Sequence, residues 1–167
     1  MNRKIVAVAC VLIILVLVAV VAYLIWSSPP STSLSVEPQT VQKTVGQNFT
    51  INVSISNVAD LYGFEFKLGW NASLLEEVSV SEGPFLKSGG NNNTFFTYSL
   101  NTTDEHVVVD CTMEGQVPGV NGNGTLATIQ FQVVQSGTCD LNLYDTQLLD
   151  SNDTAINHTV HIGHFNA

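Results

Sequence analysis

Three histidines near the C-terminus, His158, His161 and His164, recur at a spacing of three, just after the run Asp150-Ser151-Asn152-Asp153-Thr154. Imidazoles ligate a transition metal when the backbone brings them to one point, and a wrapped run of Asp, Ser and Asn ligates calcium. Neither context is met. On a strand, residues i and i+3 point to opposite faces, so the three rings diverge and read as a polar chain end. The Asp150–Asp153 loop has Ala155 where an EF-hand needs glycine and His161 where it needs glutamate. It reads as a loop capped by Asx turns, with a weak Ca²⁺ site shared with Asp145 as the alternative. Glu76 and Glu77 are neighbours on a strand and face opposite ways, so they form no glycosidase pair. The glycine-rich Gly119–Gly124 segment opens a strand rather than a helix and cannot cradle phosphate in the usual way. Cys111 and Cys139 both fall on the apolar parity of their segments. They either form a disulfide, as an exported protein permits, or stand as two buried thiols. No nucleophile–base arrangement occurs, so the sequence points away from catalysis and implies no cofactor.

The elements that carry these residues are strands. From Asn57 to Val80, Phe64, Phe66, Leu68 and Trp70 share one parity while Gly63, Glu65, Lys67 and Gly69 share the other. A period of two with large apolar groups on one side marks a strand lying on a core. Phe49, Ile51, Val53 and Ile55 alternate with polar residues in the same way, as do Phe96, Tyr98 and Leu100, and Ile129, Phe131 and Val133. Turn signals separate them, among them Glu82-Gly83-Pro84, Ser88–Asn93 and two Asn-Gly pairs before Gly124. About nine short strands with no soluble helix imply an all-β sandwich.

An appendage precedes it. Ile5–Trp26 is a run without a charged side chain, which as a helix spans roughly 33 Å, the thickness of a bilayer's hydrocarbon. Arg3 and Lys4 before it predict a single-pass membrane anchor over residues 1–26 with a cytoplasmic N-terminus and an extracellular remainder. A cleaved signal peptide, with Val20 and Ala22 before the cut, is the alternative, and it too exports the domain. Residues 27–33 form a Pro/Ser-rich linker, and 34–165 the domain. The exported part sets three lysines (Lys43, Lys67, Lys87) against all 14 acidic residues, a net charge of −11. Such a surface repels phosphate backbones and argues against nucleic-acid partners. Eight asparagines match the N-glycosylation pattern: Asn48, Asn52, Asn71, Asn92, Asn101, Asn123, Asn152 and Asn157.

Three stretches together resemble a cohesin domain, the module that grips dockerins in cellulosomes. They are N-V-x-x-L-Y-G-F-E-F-K-L-x-W-N-x-x-L-L-E-x-V-S-V from Asn57 to Val80, G-N-G-T-L-A-T-I-Q-F-Q-V from Gly122 to Val133, and the opening pair Leu34–Val36 with Val45–Asn57. The resemblance implies a nine-stranded jelly-roll whose dockerin docks on the outer face of a sheet ordered 8-3-6-5. Carried over, these strands are Thr138–Leu143, Leu61–Trp70, His106–Met113 and Thr94–Leu100. The implied partner-binding residues are Gly63, Glu65, Lys67, Tyr98, Val108, Asp110, Thr112 and Glu114, with His106 on the same parity. Glu65 falls where many members carry an Asp, and Gly63 where they carry an Asn. In that sheet order strand 3 separates Cys111 from Cys139, which argues against the disulfide. A carbohydrate-binding module recognising polysaccharide is the alternative, though it wants a row of exposed, coplanar aromatics.

Overall fold

The structure is a computed structural model that describes residues 13, 14, 16–18, 20, 21, 31–90, 92–102 and 104–167. It divides into two compact units, Met1–Pro30 and Ser31–Ala167. In the first unit the described residues are helical and exposed. Most of the expected anchor, 5–26, lies outside the described residues, and among those described no helix is long and apolar enough to cross a membrane.

The second unit carries ten strands: β1 (Ser33–Glu37), β2 (Thr40–Gln42), β3 (Asn48–Gly69), β4 (Leu75–Glu82), β5 (Thr94–Asn101), β6 (His106–Met113), β7 (Val120–Val133), β8 (Thr138–Asp150), β9 (Thr159–His161) and β10 (Gly163–Asn166). They lie in two layers that share β3. Its first half pairs with β1 and β7, giving the order β9-β1-β3-β7-β4. Its second half pairs with β6 and β8, giving β5-β6-β3-β8-β10-β2.

The alternations at Phe49–Ile55 and Phe64–Trp70, expected as two strands, are therefore one 22-residue strand. Asn57 (φ 55) and Asp60 (φ 57) adopt left-handed backbone between them, a conformation that Asn and Asp tolerate better than other non-glycine residues. The pairing of β3 with β7 shifts register twice over this stretch, so the strand bends from one layer to the other. Asp60 fixes the bend: its carboxylate accepts Gly119 N–H at 2.7 Å and Ser151 Oγ–H at 2.6 Å. The Ser151 bond, then that from Gly119, holds the Asp60 carboxyl below its ordinary range. Gly119 must be glycine here, because a Cβ would stand 2.4 Å from the Asp60 backbone.

The final strand expected near 155–162 is instead split, β9 joining the first layer and β10 the second, and the strands among the described residues number ten rather than nine. A single 3-10 turn, Leu86–Gly89, follows β4.

Apolar parities from both layers meet in one core. Phe49 stacks on Phe131 at 5.6 Å and on Phe165 at 5.4 Å, while Trp70 meets Phe131 edge-on at 5.0 Å. Such pairs add about 0.5–1.5 kcal/mol to the burial of their rings. Trp70 Nε1–H donates to the Leu75 carbonyl at 3.0 Å, so the buried indole nitrogen keeps a partner through the corner into β4.

The two layers are also joined by a carboxylate. Glu82, at the end of β4, accepts hydrogen bonds from Thr94 Oγ1 on β5 at 2.6 Å, from Lys87 Nζ and from the Cys111 thiol. Burial works to raise its pKa, but Lys87 and Thr94 together outweigh it and leave Glu82 below the usual carboxylate range.

The cysteines do not pair. Cys111 on β6 faces Phe64 of β3, Cys139 on β8 faces Phe165 of β10, and both are free. With β3 between β6 and β8, they are at least two strand spacings apart, roughly 10 Å and beyond disulfide reach. Burial, with the Glu82 charge beside it, pushes the Cys111 thiol up to about 12, so it is an inert core group.

Candidate functional site

The outer face of β5-β6-β3-β8 is a grid fixed by strand register. One row runs Phe95, Thr112, Gly63, Leu149; the next Thr97, Asp110, Glu65, Gln147; the next Ser99, Val108, Lys67, Tyr144; the last Asn101, His106, Gly69, Asn142. The first two rows, Glu65 and Asp110 included, line a hollow of about 410 Å³ with Tyr62 and Asp153 at its margins. Gly63 makes its floor: it is buried, and a Cβ there would only just reach Cys111 O and Thr112 at 3.4 Å. Phe95 stands at the hollow's edge, 59% exposed, an apolar surface a partner can cover.

The second row sets two carboxylates together, with Lys67 offsetting them only in part. Glu65 and Asp110 lie directly opposite one another, where like charges are unfavourable. Burial, then the Asp110 charge and a hydrogen bond shared with it, raises the Glu65 pKa. Lys67, the nearest cation in the grid, is drawn the other way. Its Nζ donates to Asp145 Oδ2 at 2.9 Å and lies 6.0 Å from the Tyr144 ring centroid. That hydrogen bond, reinforced by the Asp145 charge, raises the Lys67 pKa.

The carboxylate pair has a pH signature. Because the Glu65 pKa is raised in the folded chain, its contribution to stability is complete below the unfolded pKa and is lost as pH rises through the folded value. Glu65→Gln is therefore expected to gain stability over the wild type near neutral pH, and the gain should shrink on acidification through the carboxylate range. Denaturant titrations across that range measure it; a gain that is constant with pH would show that the pair is not strained.

Most of the expected site residues meet on this face. Gly63, Glu65, Lys67, Val108, Asp110 and Thr112 lie within the grid, as does His106, which is buried edge-on against Tyr144 at 6.1 Å. Tyr98 does not belong to it. It lies opposite the fully buried Val109, on the inward parity of β5, because a residue's side of a sheet follows from its partner across the ladder. Phe95 and Thr97 take its place. Glu114 lies one residue past β6, exposed, with its N–H donating to the Asn93 carbonyl.

Gln147 and Leu149 of β8 escaped notice in the sequence because β8 carries a bulge. Asp145 has φ 46, and the pairing with β3 slips by one residue between Glu65 and Lys67, so the inward residues change from Leu141 and Leu143 to Leu148. The adjacent Leu148-Leu149 was the available signal, since no unbroken alternation buries both on one side.

The other candidate centres disperse. His158 is bonded to Thr146 and to the Ile156 carbonyl, His164 to Asp140 at 2.8 Å, and His161 stands exposed on β9. Asp150 Oδ1 accepts the N–H groups of Asn152 and Thr154 in an Asx turn, while Asp145 is held by Lys67. Among the described residues no group of His, Cys, Asp and Glu gathers for a metal ion.

A family model described as "Cohesin domain" matches residues 34–162. Among solved structures, a non-cellulosomal cohesin from the archaeon Archaeoglobus fulgidus matches with TM-score 0.68 at 18% identity, covering 82% of this chain and 91% of that one. A chain of a type I cohesin–dockerin complex from Clostridium thermocellum matches with TM-score 0.69 at 15% identity, covering 83% and 95%. A type II cohesin domain from the cellulosome of Acetivibrio cellulolyticus matches with TM-score 0.69 at 17% identity, covering 80% and 95%. At these identities the likeness carries the fold alone. Among curated proteins none matches.

Proposed function

Since the chain belongs to the cohesin family, we propose that its Ser31–Ala167 unit is a non-catalytic docking module whose partner, a dockerin-bearing protein, seats on the β5-β6-β3-β8 face. The observation that carries the reading is the Glu65–Asp110 pair in the wall of a hollow that Phe95 and Leu149 also line, with Lys67 hydrogen-bonded to Asp145. A partner that brings a basic side chain to the carboxylates and an apolar group to Phe95 and Leu149 would relieve both. The face is preformed by strand register, so docking needs no backbone rearrangement.

We place this module outside the cell, held by residues 5–26 as a single-pass anchor; the support is the uncharged run behind Arg3 and Lys4. Asn48 and Asn52 stand on the first layer's side of the sandwich, so glycans there would leave the docking face bare. Asn71, Asn92, Asn123, Asn152 and Asn157 are exposed acceptors of the same kind, and Asn101 lies at the far end of the grid. Polysaccharide binding is less well supported, because Phe95 and Tyr98, the most exposed aromatics described, project to opposite sides of β5.

The test is capture by immobilised wild type, Glu65→Ala and Asp110→Ala, offered type I and type II dockerin domains and the source organism's secreted proteins. Retention of a dockerin-bearing protein by the wild type and its loss from both variants is expected. Equal recovery by all three would move the docking site elsewhere, and no retained dockerin would remove the assigned partner.

A further inference from the structure

A sheet edge is a row of unpaired N–H and C=O groups, and folded proteins blunt such edges with charges, bulges or shortness. This sandwich has four. At one, β4 carries Glu76, Glu77 and Glu82 and a bulge between Glu77 and Ser79. Two others, β9 and β2, are three residues long. The fourth, β5, has none of these devices. It runs for eight residues, Thr-Phe-Phe-Thr-Tyr-Ser-Leu-Asn, without a charge, a proline or a bulge, and among the described strands it pairs only with β6. Its inward parity is also left uncovered at this margin: Tyr98 is 47% and Leu100 43% exposed.

We propose that β5 is the seam of a homodimer, pairing antiparallel with the β5 of a second copy about a two-fold axis at Tyr98. In that register Tyr98 meets its own copy and Phe96 meets Leu100 of the other chain, so each apolar group of the inward parity gains an apolar partner. On the opposite side Phe95 meets Asn101 and Thr97 meets Ser99, again without a charge. Shifting the axis to Thr97 would set Leu100 against Thr94 and lose this match.

Charge favours a second copy here over any other part of the surface. The chain from Ser27 onward carries −11, so like copies repel wherever carboxylates come together; β5 has no charged side chain of its own, and the carboxylates bonded to it, Glu82 on Thr94 and Asp104 on Asn101, stand only at its two ends. Backbone pairing supplies the attraction and the alternating side chains the register. A two-fold operator is the commonest symmetry of a self-complementary patch, and it would put two docking grids side by side on one face. The inference does not depend on what the grid binds.

The experiment is light scattering and oxidative cross-linking of the full-length chain in detergent. The wild type is expected to double in mass over a concentration series. Tyr98→Lys, which sets two ammonium groups against each other at an exposed position, should be monomeric with an unchanged circular-dichroism melting curve. In a Cys10→Ser, Cys139→Ser background, Tyr98→Cys should cross-link to a disulfide dimer. Val78→Cys, equally exposed on β4, should not. A wild type that stays monomeric would overturn the seam, as would a Tyr98→Lys protein that stays dimeric or equal cross-linking at 78 and 98. Cross-linking at 98 to a different protein in the native membrane would instead assign the edge to a foreign strand. Dockerin capture by the Tyr98→Lys monomer separates failure of the seam from failure of the docking face.

Discussion

Asp110→Lys is expected to weaken partner docking about 30-fold or more, since reversing a charge against a complementary cation costs roughly 2–5 kcal/mol in a desolvated contact. The fold should not suffer. The introduced ammonium would stand opposite Glu65 in the ladder, replacing a like-charge pair with an opposite one worth about 0.2–1 kcal/mol. Binding and stability should therefore move in opposite directions, which no general unfolding defect can imitate. Titration calorimetry against a captured dockerin, with a denaturant curve on the same sample, reads both. A variant that binds as the wild type does would remove the carboxylate row from the interface, and one that binds weakly because it is unfolded would show it in the second measurement.

The second large effect belongs to the layer beneath. Phe66→Ala is expected to cost about 3–5 kcal/mol. Phe66 is fully buried, stacked 5.9 Å from Phe64, directly under the strand that carries Glu65 and Lys67. Truncation removes its transfer energy and leaves a cavity that the surrounding strands, tied by ladders on both sides, cannot close. Against a total stability of about 5–15 kcal/mol this is a large share, and the melting temperature should fall by roughly 10–20 °C. Phe95→Ala is the natural comparison. At 59% exposed it should cost about 0.5 kcal/mol or less in stability, yet weaken docking. Equal destabilisation by the two would mean that Phe95 supports the fold rather than a partner.

Both expectations rest on a face that was only half legible beforehand. Gly63, Glu65 and Lys67 could be placed because they alternate with Phe64, Phe66 and Leu68, and burial of the large parity dictates where the small and polar one goes. Asp110 followed from Val107, Val109 and Cys111 by the same logic. Tyr98 was misplaced because family likeness, not its own alternation, assigned it; the run Phe96, Tyr98, Leu100 already set it on the inward parity. Gln147 and Leu149 were missed because a one-residue slip at Asp145 exchanges the two faces of a strand, and a bulge leaves no mark in the alternation until both sides of it are known.

The amino-acid sequence by itself determined that residues 34–165 form a β-sandwich and which side chains fill its core. These are local matters: parity along a strand and turn chemistry between strands act over a few residues. Only the tertiary structure decided that one long β3 serves both layers and that Cys111 and Cys139 are held apart by it. It also decided that Lys67 gives its hydrogen bond to Asp145, and that β5 is left as an unguarded edge. Each of these depends on which strands pair and in what register, over separations of tens of residues. That choice is made by the cooperative closing of the core, and no segment carries it alone.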